Sequence, residues 1–201
     1  MKITIHADNW EKGRAGFKIE AVVLHVMQGT LAGTDDWFQH SPEYIDPVTK
    51  KPAPVYGSSN AGIGKKGEVH DYVDKEDTAY HAGRVSQPVW SKIKKNWWGG
   101  FVNPNSYTYG LECEGVRGDT WTEPQMIEVV KRTKEILDFS GLPADRSTVI
   151  SHNETAIDKE DMRLWCDEVI RRIKAPVVVT PDKAKAIKMI EDGIAMLKQI
   201  P

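Results

Sequence analysis

Six histidines, His6, His25, His40, His70, His81 and His152, are the side chains of this chain best suited to metal or proton chemistry. Two of them close apolar runs: His25 follows Val22-Val23-Leu24, and His152 follows Val149-Ile150-Ser151. Such runs read as buried strands, and a strand end carries its side chain to the rim of the sheet, where open α/β folds bind ligands. Acids stand close behind in Asp158-Lys159-Glu160-Asp161. Two histidines and a carboxylate make a three-ligand zinc site whose fourth position holds a water with its pKa lowered to about 7. Histidines hydrogen-bonded at strand ends for structural reasons fit the same spacing, so both readings stand at this point.

The elements that must position these residues follow from periodicity. Ala21–Val26 is a β-branched strand broken by Gly29-Thr30, and Thr34 is expected to cap a helix that begins at Asp35-Asp36. Residues 61–63 and 69–73 read as a hairpin around Gly64-Lys65-Lys66-Gly67. In residues 107–114, Tyr109, Leu111 and Cys113 alternate with Thr108, Glu112 and Glu114, the pattern of a strand with two distinct faces. Thr122-x-x-Gln125 resembles a capping box ahead of an amphipathic helix that Gly141 and Pro143 stop. A second amphipathic helix runs from Met162 through Trp165, Cys166, Val169, Ile170 and Ile173. Interleaved strands and helices predict an α/β fold, a central mixed β-sheet flanked by α-helices. Residues 1–174 form the expected domain. Residues 175–201 read as a linker and a C-terminal amphipathic helix that docks back, self-associates or begins a wall-binding region. His70 is expected to face solvent, and His6 and His40 to lie on the surface.

Composition narrows the function. The chain has 201 residues, 28% of them charged, and a formal net charge of −2. That balance does not mark a basic nucleic-acid binder, and no apolar run approaches the ~20 residues that span a bilayer. No signal peptide is recognisable, and Cys113 and Cys166 alone make no disulfide framework. Seven Trp and six Tyr are many, and Trp90, Trp97 and Trp98 fall in a long aperiodic loop, residues 84–105, of the kind that is more often functional than idle.

Five segments occur in the order of one family: Leu24-His25; Ala61 to Val69; Ala79-Tyr80-His81-Ala82-Gly83; Asn105 to Gly115; and Ser151-His152-Asn153-Glu154. Over about residues 20–174 the chain resembles the zinc-dependent N-acetylmuramoyl-L-alanine amidases, the group of phage endolysins and peptidoglycan recognition proteins. The resemblance implies that fold and a Zn2+ cofactor. His25 and His152 match the first two zinc ligands. Lys159-Glu160-Asp161 matches the family's Lys-x-Asp, which makes Asp161 the third ligand and Lys159 a cationic helper. Met162-Arg163 departs from the usual Pro-Gly, and Cys166 is a softer alternative ligand, although its place on the apolar face of the helix makes a small buried hydrophobe its expected role. Glu112 matches the family's water-orienting glutamate. His81, with Tyr80 where the family has Trp, is expected together with Asn105 to contact substrate. Ser58-Ser59-Asn60 stand where some members carry Tyr or His, so no tyrosine-assisted mechanism is expected.

The implied reaction is hydrolysis of the amide between N-acetylmuramic acid and L-alanine, with peptidoglycan as partner and neither nucleic acid nor membrane insertion involved. The expected role is a monomeric phage or prophage endolysin, held in the host cytoplasm before release to the wall. The alternatives are a cytosolic amidase recycling anhydro-muropeptides, a non-catalytic peptidoglycan-binding module, and a glycosidase that uses Glu112 with a second carboxylate.

Overall fold

The computed structural model describes residues 2–46 and 50–175. Among these the chain forms β1 (Lys2–Thr4), β2 (Trp10–Glu11), β3 (Ala21–Val26), α1 (Leu31–Gln39), β4 (Glu43–Ile45), β5 (Pro52–Pro54), β6 (Ala61–Ile63) and β7 (Val69–Asp71). There follow β8 (Thr78–Ala79), β9 (Thr108–Cys113), α2 (Glu123–Ser140), β10 (Val149–Ser151) and α3 (Arg163–Lys174). Six strands make one mixed sheet in the order β1-β7-β6-β9-β3-β10, with only β6 and β7 antiparallel. The expected α/β architecture is therefore the one observed. Residues 176–201, which hold nearly all of the expected linker and C-terminal helix, lie outside the described residues.

The alternation along β3 and β9 divides the protein into two layers. Val22, Leu24, Tyr109, Leu111 and Cys113 face α2 and α3 and pack on Val129, Ile136, Cys166 and Val169 as the main core. Cys166 thus lies on the far side of the sheet from His25, its thiol pushed up to about 12 by burial, and acts as a core side chain rather than a ligand. Ala21, Val23 and Ile150 face the other way, against Trp90 and Tyr107.

Local chemistry sets the element ends. The β6–β7 hairpin turns at Gly67, whose φ of 83° suits glycine. Thr122 caps α2 by accepting from Gln125 N, but the Gln125 amide donates to the Ile63 and Glu114 carbonyls instead of returning to Thr122. Only half of the expected capping box forms, because that amide ties α2 to the sheet. The cap of α1 is Thr30 and not Thr34: the Thr30 hydroxyl accepts from Gly33 N, which starts the helix one turn earlier and leaves Asp35 and Asp36 inside it. Among the described residues no helix is long and apolar enough to cross a membrane.

Candidate active site

Strand register assembles the site. On the face opposite α2 and α3, His70 of β7 lies beside Gly62 of β6, Gly62 beside Glu112 of β9, and Glu112 beside His25 of β3. The row continues past β10, where Leu24 pairs with Ser151 and the next residue is His152. His152 opens a one-turn helix, His152–Glu154, in which the Glu154 carboxylate reaches back to Ser151 N at 2.7 Å. His25 and His152 are both buried, with their Nδ1 atoms 2.9 Å apart. Glu112 Oε1 lies 3.9 Å from His25 Nδ1.

A third histidine stands behind this pair. His81 Nδ1 is 3.0 Å from His25 Nε2, and His81 Nε2 is 3.2 Å from Thr108 Oγ1 and 3.4 Å from the Thr108 carbonyl. The Thr108 hydroxyl donates its proton to the Pro104 carbonyl at 2.7 Å, so both Thr108 oxygens can only accept from His81. By elimination His81 carries its proton on Nε2, His25 donates from Nε2 to His81, and His25 Nδ1 presents a bare lone pair toward His152. Burial keeps these rings neutral: desolvation and then the neighbouring His152 lower His25, while His81 falls to about 3. Desolvation and then Lys159 lower His152 to about 4.

Glu112 shows the opposite shift for the same reason. Desolvation, reinforced by the Glu160 charge, pushes its carboxyl up to about 8. Glu112 Oε2 is buried with no hydrogen-bond partner among the described residues, and buried His152 Nε2 makes no well-aligned bond, the Ala82 backbone lying beside the ring. Orphaned polar atoms of that kind mark a place built for something other than protein.

His81, Glu112 and His152 line a cavity of about 420 Å³ whose walls include Trp37, Tyr80, Arg84, Asp158 and Lys159. A second cavity of about 430 Å³ shares Trp37, Phe38 and Glu112 with it and runs along the start of α1. Glu112 therefore stands where two clefts meet.

The other expected site residues fall as follows. Tyr80 and Lys159 line the first cavity, and the Tyr80 hydroxyl donates to Glu11 at 2.7 Å. Asn105 is buried behind the loop, where its Oδ1 accepts from His81 N (3.1 Å) and Ala82 N (2.7 Å); it reaches the site through His81. Glu114 lies past the strand end and accepts from Lys65 N, away from the histidines. Asp161 does not join the cluster. Its carboxylate is gripped by Arg163 through Nε (2.9 and 3.0 Å), through Nη2 and through the backbone amide, and it borders a different cavity with Glu160 and Trp165. The Met162-Arg163 departure supplies that grip, and Arg163 holds Asp161 down to about 2. Among the described residues no three metal-ligating side chains stand close enough together to hold an ion. The pair His25 and His152 with Glu112 is in place; the third ligand is not.

Some residues of the site were not legible in the sequence. His70, expected to face solvent, is buried and bonded through Nδ1 to Asp35 at 2.9 Å, because α1 covers that end of the sheet. Tyr72 donates to the same carboxylate at 2.8 Å. Arg14 is buried, with its Nη1 donating to the Thr108 carbonyl at 2.8 Å and its Nε to the Lys75 carbonyl at 2.7 Å. No pattern marks an arginine in a loop for such a role. Asn60, which ties β6 to Gly110, could have been found as a lone amide leading into a buried strand.

Comparison with known proteins gives the family and the fold. The family model described as N-acetylmuramoyl-L-alanine amidase matches residues 15–166, a span holding His25, His81, Glu112, His152 and Asp161. Among solved structures the chain is similar to a selenomethionine derivative of AmpD, with a TM-score of 0.59 and 19% identity over 79% of this chain and 85% of that one. It is also similar to the N-acetylmuramoyl-L-alanine amidase LysC from Clostridium intestinale URNW, with a TM-score of 0.54 and 12% identity over 88% and 99%. PlyL gives a TM-score of 0.54 and 11% identity over 82% and 89%. At such identities the likeness is one of fold. No curated protein matches the sequence.

Proposed function

The chain belongs to the N-acetylmuramoyl-L-alanine amidase family, and we propose that it is a zinc-dependent peptidoglycan hydrolase acting as a phage or prophage endolysin. The carrying observation is the approach of the His25 and His152 Nδ1 atoms, 2.9 Å apart on neutral rings, beside Glu112 with its buried Oε2. Neutral imidazoles are the ligands that zinc takes; His25 Nδ1 already presents its lone pair, and the proton it accepts from His152 Nδ1 would move to His152 Nε2 when both Nδ1 atoms hold an ion. His25 and His152 would hold the ion, with Asp161 completing the set once it leaves Arg163. Zinc bound there supplies an acidified water and polarises the carbonyl under attack.

The chain's own residues do the rest. Glu112, with its carboxyl near neutrality, takes the proton of the attacking water and returns it to the departing L-alanine amine. Lys159 at the cavity mouth stabilises the oxyanion on the lactyl carbonyl. Tyr80 and the loop carrying His81 flank the substrate. The protein works as a monomer on the wall after release from the host cytoplasm.

Purified sacculi test this reading. The expected products are new L-alanine amino termini without new reducing sugars, lost on chelation and restored by zinc. Reducing ends, or hydrolysis indifferent to chelator, would overturn it.

A further inference from the structure

The loop between His81 and Pro104 has two parts that do different things. Trp90 is buried, stacked on Tyr107 with ring centroids 5.8 Å apart, and donates from its indole to the Ser147 carbonyl at 3.0 Å. Beyond it the chain forms a small hairpin: Lys95 bridges Phe101, Asn96 N donates to Gly100 O at 2.8 Å, and Val102 N donates to Lys94 O at 3.0 Å. Its base is pinned, since Lys94 N donates to the Tyr107 hydroxyl and Lys94 Nζ pairs with Glu20 at 2.7 Å. At its tip Trp97 is 91% exposed and Trp98 67% exposed, the two rings edge to face at 5.1 Å. An anchored turn holding two indoles in water presents aromatic faces that the fold does not use.

We propose that this tip binds the sugar rings of a polymeric glycan, so that the enzyme holds a wall strand outside its cleft while it cleaves the attached peptides. The inference rests on the reading of the chain as a peptidoglycan hydrolase and names the polymer, not a soluble fragment, as the substrate. A pyranose presents a flat C–H face that an indole face accepts, and two perpendicular indoles offer platforms for successive rings of a twisting chain. The same loop begins at the cleft, where Arg84 and Ser86 line the first cavity, and runs along the sheet to anchors at Glu20 and Tyr107, which lie at the opposite ends of the strands that carry His25 and Glu112. An anionic membrane fits less well. Lipid attraction grows by about 1 kcal/mol per free basic residue, whereas Lys94 is paired with Glu20 and Lys92 lies near the Asp145 carboxylate, which leaves Lys95, over the Phe101 ring at 5.7 Å, as the charge on this segment open to a lipid.

The double variant Trp97→Ala/Trp98→Ala tests the proposal in the full chain, since side chains this exposed contribute little to folding, and an unchanged melting temperature would verify that. Co-sedimentation with purified sacculi should weaken about tenfold, a loss of about 1.4 kcal/mol, and soluble N-acetylglucosamine oligomers should compete with the wild type. KM on sacculi should rise while cleavage of a soluble muramoyl-peptide stays unchanged. Equal sedimentation of variant and wild type overturns the proposal. So does a defect confined to phosphatidylglycerol vesicles, which would make the tip a lipid contact. If the wild type cleaves neither substrate the amidase reading fails, and sedimentation still judges the tip by itself.

Discussion

Adding one methyl group at Gly110 probes the step on which the aim of His25 depends. Gly110 lies on the site face of β9, and a Cβ there would stand 2.4 Å from His81 Cγ, 2.8 Å from His81 Cβ and 2.7 Å from Ser59 Oγ. His81 has nowhere to go: its backbone amide is held by Asn105 Oδ1, its Nε2 by Thr108, and its Nδ1 faces His25 Nε2 at 3.0 Å. Regaining ordinary van der Waals distance requires the ring to move by about 1 Å. Overfilling of a packed site costs about 1–3 kcal/mol. In a chain of this size each kcal/mol lowers Tm by about 2–4 °C, so Gly110→Ala should melt about 2–12 °C below the wild type. A reacting group misplaced by about 1 Å loses on the order of 100-fold in rate, and kcat on sacculi should fall on that scale. Gly29→Ala is the control, because nothing lies within 4 Å of its Cβ position. An unchanged Tm would refute the packing of His81 on Gly110. A lowered Tm with full kcat would refute the claim that His81 aims His25.

Four further outcomes follow from the site and its surroundings. In chelator, stability should fall on acidification below about 6.5, because His25, His81 and His152 are held neutral in the fold and must take up protons to match the unfolded chain. Stability should also fall as pH rises toward about 8, where folded Glu112 ionises against burial; melting curves of Glu112→Gln should lose only this alkaline limb, and an unaltered limb would assign it elsewhere. Arg163→Ala frees Asp161 from an ion pair whose partners are 56% and 42% exposed. Such pairs are worth about 0–1 kcal/mol, so zinc affinity measured by chelator competition should rise by up to about fivefold, and a fall would mean that Arg163 supports the site. Asn105→Ala leaves the His81 and Ala82 amides without their acceptor and should cost about 1–3 kcal/mol in chemical denaturation; full stability would contradict its role as an anchor.

The sequence announced what periodicity and strand ends can announce. Ala21–Val26 was readable to the residue because its β-branched run is buried on both faces. The face of Glu112 followed from alternation, and the long amphipathic helices from their apolar stripes. What stayed hidden depends on partners distant in sequence. His70 alternates like a solvent-facing residue, and only the arrival of Asp35 on α1 buries it. His81 looked like a substrate contact, but both ring nitrogens are engaged inside the protein, through Thr108 and His25. Asp161 fits a ligand motif by spacing, yet the next residue but one is an arginine that takes its carboxylate. The loop tryptophans divide into one buried ring and two exposed ones, a distinction that composition does not carry.

Zinc titrated calorimetrically into the chelator-stripped chain tests the central claim most directly. One zinc per chain for the wild type, with no detectable site in a folded His25→Ala variant, is the predicted result. No binding by the wild type, or equal binding by the variant, would contradict the account.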